Sequence, residues 1–170
     1  CIDNVNAELL KKRGVTNSFE LQSLNENKQE IVDYFYNNKI FLDKDPKTTF
    51  KLDEIDEKIK VGYYKPEVTA NCPFIFDIVN DEIILNILNS YFNSPYKLDY
   101  ATTWWSFKNQ NFVSEKTQYF HRDLDSLNFI KFFIYLTDVD DNSGPNQYIK
   151  YSHKKNFGYE VSRKPIKDKD

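Results

Sequence analysis

Residues 129–136 read FIKFFIYL, and the run that follows at 140–145 reads DDNSGP. Eight nearly continuous apolar residues are too few for a typical helix and suit a strand covered on both faces. Aspartate, asparagine, serine, glycine and proline in succession are strong turn chemistry, so residues 147–151 are expected to form the strand that follows the turn. Upstream, residues 98–107 (LDYATTWWSF) are rich in Thr, Tyr and Trp, which favour strands. The first half has a different texture. Residues 4–13 are a short helical candidate ending at Gly14, and residues 24–37 a better one, with Ile31, Val32, Tyr34 and Phe35 on its apolar face. The strongest helix is expected over residues 77–92, where Ile83, Ile84, Ile87, Leu88, Tyr91 and Phe92 recur at helical spacings. Between these, residues 43–60 are polar and read as a surface loop with at most a short helix at 52–59. Helices first and short strands afterwards imply an α+β fold, or a β-sandwich or barrel with a helical preface.

The chain has 170 residues, a formal net charge of −3, and 40% hydrophobic residues of which many are aromatic. That length favours one domain with a real core, and the aromatic content argues against disorder. No apolar run approaches the ~20 residues that span a bilayer, so no membrane partner is expected. Nor does the charge balance leave a footprint for nucleic acid, although lysines crowd the C-terminal tail. The chain lacks methionine and opens on Cys1, which points to an N-terminus that is processed, trimmed or missing. A mature lipoprotein also opens on cysteine, but nothing else here looks exported. Cys1 and Cys72 are too few for a disulfide framework, so a reducing, cytoplasmic setting is expected.

One of the two histidines lies in His121-Arg122-Asp123. In a strand, side chains two residues apart point to one face, so His121 and Asp123 can converge. An imidazole nitrogen and a carboxylate oxygen are two of the three ligands of a facial Fe(II) triad. The same alternation puts Lys131, Phe133 and Tyr135 on one face. By contrast, Asp138, Asp140, Asn142 and Gly144 only mimic a calcium loop: the glycine comes one place late and Ile149 holds the required Glu position.

Taken together, residues 118–123 (QYFHRD), 130–139 (IKFFIYLTDV), 143–145 (SGP) and 151–154 (YSHK) resemble the phytanoyl-CoA dioxygenase family in order and spacing. The close of the preceding helix at 91–95 (YFNSP) and Trp104-Trp105-Ser106 resemble that family's approach to its first core strands. The resemblance implies a double-stranded β-helix, a cupin-like jelly roll of eight strands in two sheets. It also implies a dioxygenase, usually a hydroxylase, that uses Fe(II) as cofactor, 2-oxoglutarate as cosubstrate, O₂, and a small organic metabolite as substrate. His121 and Asp123 match the first two iron ligands. Phe133 matches an aromatic residue lining the cosubstrate pocket, which Lys131 and Tyr135 would share, and Gln118 matches a polar pocket residue. His153 matches the histidine of a G-S-H-K run whose glycine is here Tyr151. It lies only 30 residues after Asp123, so a place behind the ligands or at the pocket rim is expected for it, not the distal ligand.

The distal histidine and the arginine that anchors 2-oxoglutarate are expected beyond residue 154. That stretch holds no histidine, and its one arginine is Arg163 in a polar tail. The chain therefore reads as part of such an enzyme, inactive alone: a helix-rich portion at 1–97, the first jelly-roll strands at 98–154, and a tail or insertion from 155. Two other readings remain. One is a non-catalytic jelly-roll binding module with a decayed metal site. The other is a general α+β domain in which His121 and Asp123 do not face each other.

Overall fold

The first helix, α1, runs Ile2–Arg13 and stops at Gly14, whose φ of +81° is a left-handed conformation that side chains disfavour. The structure, a computed structural model, describes residues 2–42, 45–56, 59–107, 120–121, 123, 128–140, 143 and 145–154. The next helix, α2 (Gln22–Asn37), buries Leu24, Ile31 and Phe35 along one face, as its spacing predicts.

Residues 77–92 do not form one helix. They divide between α4 (Ile75–Val79) and α5 (Glu82–Phe92), and the break has a chemical cause. Asp81 leaves helical geometry, and one of its carboxylate oxygens accepts the backbone N–H of Ile83 at 3.0 Å. Its other oxygen accepts the Ser23 hydroxyl at 2.6 Å and the Ser23 N–H at 3.4 Å. Leu21, the residue preceding α2, has no side chain that can cap. Asp81 thus satisfies the first turns of two helices at once. A further short helix, α3 (Pro66–Ala70), was not foreseen; Pro66 starts it where a missing N–H costs nothing.

The strands arrive earlier than the sequence texture implies. β1 (Ile40–Leu42), β2 (Thr49–Phe50) and β3 (Val61–Tyr63) precede the last helices, and β4 (Trp104–Ser106) follows them. They form one antiparallel sheet in the order β2-β1-β3-β4. Residues 43–60, read as a loop with at most a short helix at 52–59, hold a 3₁₀ turn at Leu52–Glu54 within that span and, beyond the expectation, β2. Strands of two or three residues are too short to show an alternating pattern. Of the strand expected over 98–107 only Trp104–Ser106 pairs. Residues 129–136 and 147–151 are not in strands at all. A strand needs a partner backbone, and Phe132 and Leu136 instead anchor the former segment by packing on the core. The latter segment turns at Tyr151 (φ +70°), whose N–H donates to the Arg13 carbonyl at 2.7 Å. The expected order, helices and then strands, is corrected accordingly. The class is α+β.

The sheet's two faces differ. Ile40, Tyr64, Trp105 and Phe107 join Leu24, Ile31, Phe35, Ile78 and Ile84 in the main core. Gly62 lies between Ile40 and Trp105: it pairs with Trp105, and any Cβ would strike the Ile40 side chain. The other face carries an aromatic row. Phe41 pairs with Tyr63 and Tyr63 with Trp104, the first two rings lying 5.9 Å apart. Away from the sheet, α1 packs along α5.

Candidate functional site

The aromatic row continues beyond the sheet. Trp104 meets Phe133 edge to face, with ring centroids 6.5 Å apart and both side chains largely exposed. Phe133 belongs to the apolar run that the sequence expected to be covered on both faces, and it is not: Phe132 and Leu136 pack on the core while Phe133, Ile134 and Tyr135 are exposed. Tyr135 is tied down by its hydroxyl, which accepts the Asn146 N–H at 2.9 Å.

Lys131, two residues before Phe133, reaches Asp123. Its ammonium lies 2.7 Å from Asp123 Oδ2 and 5.7 Å from the centre of the Phe129 ring. On the other side of the carboxylate, His121 Nε2 lies 3.4 Å from Oδ1. The side chains of His121, Asp123 and Lys131 are 26%, 34% and 27% exposed, so the cluster is sheltered but open to small molecules. His121 and Asp123 thus face each other across 3.4 Å.

The donor set suits a divalent cation in part. Ligand nitrogen and oxygen sit about 2.0–2.2 Å from such an ion, so two donors 3.4 Å apart are within one ion's span. A neutral imidazole and a carboxylate are acceptable to ferrous iron. Asp123 can serve through Oδ1 alone, because Lys131 holds Oδ2. Among the described residues no group of three His, Cys, Asp or Glu side chains gathers around one point, so a third protein ligand is not among them.

Other expected residues fall elsewhere. His153 packs with Tyr148 over Gly14 at the end of α1, where a Cβ on Gly14 would collide with the imidazole. Gln118 lies outside the described residues. Lys131, expected in the cosubstrate pocket, is instead paired with the carboxylate of Asp123 among the described residues. Phe129 was missed, yet the same alternation carried one step back from Lys131 would have found it. Trp104 was expected only as part of a strand, and the sheet register shows that its side chain points away from the core.

A family model described as phytanoyl-CoA dioxygenase matches residues 13–170. No curated protein and no solved structure matches the chain.

Proposed function

The chain belongs to the phytanoyl-CoA dioxygenase family, and from that premise we propose that it carries part of the centre of an Fe(II)- and 2-oxoglutarate-dependent oxygenase acting on a small organic molecule. The observation that supports this most is the His121–Asp123 pair, whose Nε2 and Oδ1 converge to 3.4 Å. Bound ferrous iron supplies O₂ activation coupled to decarboxylation of the 2-oxoacid, chemistry that no side chain provides.

The chain's own residues supply place and shelter. His121 offers a nitrogen lone pair and Asp123 a single oxygen, which leaves the remaining positions of an ion to other ligands. Phe133, two residues along from Lys131, and Trp104 offer an exposed apolar edge against which the apolar part of a substrate can lie. Tyr135 already accepts a hydrogen bond from Asn146, so its own O–H is the proton it offers to a bound oxygen. Gln118 belongs to the proposal as a pocket residue, whereas His153, packed over Gly14 at the end of α1, is left out of it. The double-stranded β-helix is likewise the fold proposed for the family domain as a whole.

Anaerobic titration of Fe(II) with 2-oxoglutarate tests this. A weak visible charge-transfer band is expected in the unaltered chain and not in His121→Ala. Absence of the band both from this chain and from a longer chain that supplies the distal histidine and arginine would contradict the oxygenase reading. The Lys131–Asp123 ion pair favours a second reading in that event, a binding module whose lysine replaces the metal.

A further inference from the structure

We propose that Lys131 is the positioning residue of the candidate metal pair: it holds one oxygen of Asp123 so that the other faces His121. This rests on the reading of His121 and Asp123 as metal ligands. The carboxylate's two oxygens are divided between partners, Oδ2 to the Lys131 ammonium at 2.7 Å and Oδ1 to His121 Nε2 at 3.4 Å. The last torsion of an aspartate is broad and roughly two-fold, so an unheld carboxylate turns freely and presents either oxygen, or both, to a cation. Lys131 removes that freedom.

Lys131 is itself restrained. The Phe129 ring lies 5.7 Å from its ammonium, within range of a cation–π attraction, and the adjacent Phe132 packs on the core. A lysine that served only solubility would extend its head into water. This one is 27% exposed and turned toward Asp123. Groups that hold a metal ligand by the atom the metal does not use are worth about 10–100-fold in metal affinity. A lysine that competes with the cation for the same negative charge has the opposite sign, so removing it would tighten binding.

The test is Mn(II) binding by the full chain, followed through the electron paramagnetic resonance signal of the free aqua ion, which is lost on binding. Unaltered protein is compared with Lys131→Met, Lys131→Gln, Lys131→Arg and Asp123→Asn. The Met and Gln variants are expected to bind at least about tenfold more weakly. The Arg variant, which keeps a cationic donor, is expected to bind more tightly than the Met and Gln variants. Unfolding midpoints should barely move in any Lys131 variant, because a partly exposed ion pair adds little stability. Equal or tighter Mn(II) binding in whichever of Lys131→Met and Lys131→Gln is folded overturns the positioning role alone. Binding to the unaltered chain no stronger than to Asp123→Asn overturns the metal-centre reading and the positioning role with it.

Discussion

The Tyr64 hydroxyl donates to the Phe35 carbonyl and accepts the Trp105 indole N–H at 2.5 Å, so one buried oxygen ties α2 to β4. Tyr64→Phe leaves that indole N–H without its partner, and a loss of about 1–3 kcal/mol is expected in urea unfolding. Burial pushes the Tyr64 hydroxyl from 10.0 to about 12, against a smaller lowering by the Trp105 hydrogen bond. It also pushes the buried Cys72 thiol from 9.0 to about 11. The folded chain holds both protons more tightly than the unfolded chain does. Their stabilising effect is therefore fully present below the unfolded values, and falls as pH rises through 9.0–11 for Cys72 and 10.0–12 for Tyr64. Urea midpoints measured from pH 8 to 11.5 should decline above 9, and Tyr64→Phe should flatten the upper part of that decline. A level profile in the unaltered chain would contradict the burial of both groups.

Among the elements, helices were legible in the sequence and strands largely were not. α1, α2 and most of α5 follow from apolar spacing and from Gly14. The split at Asp81 did not follow, because spacing alone cannot tell that its carboxylate serves Ser23 as well as Ile83. Two capping interactions make Asp81→Ala an informative variant, with an expected loss of about 1–3 kcal/mol in urea unfolding. Asp81→Asn, which keeps an acceptor for one helix, should lose less. Gly14 is the second sensitive junction. Its positive φ and the close approach of His153 and Tyr148 make Gly14→Ala costly, by about 1–3 kcal/mol at the same readout. The short strands β1, β2 and β3 escaped notice because register, not periodicity, defines them. Conversely, the apolar run at 129–136 promised a strand covered on both faces, yet it is not in a strand and exposes Phe133, Ile134 and Tyr135 in succession.

At the scale of the molecule, no helix among the described residues is long and apolar enough to cross a membrane. The sheet sets helices against one face and an aromatic row against the other, and that row leads through Trp104 to Phe133 and so to the segment bearing Lys131. How the site is divided follows the same logic as the elements. That His121 and Asp123 can converge was legible from a spacing of two, while reading them as iron ligands needed the resemblance carried by residues 118–154. The hold of Lys131 on Asp123 was not, because it joins residues eight apart whose local geometry no pattern encodes. The chain has only two histidines, so it contains its own control. The most direct measurement is a Zn(II) titration followed by the imidazole ¹⁵N resonances, since a coordinated nitrogen shifts strongly and a free one does not. Nε2 of His121 is predicted to shift while both nitrogens of His153 hold their positions. A shift at His153, or none at His121, would contradict the assignment of His121 and Asp123 as the metal-binding pair.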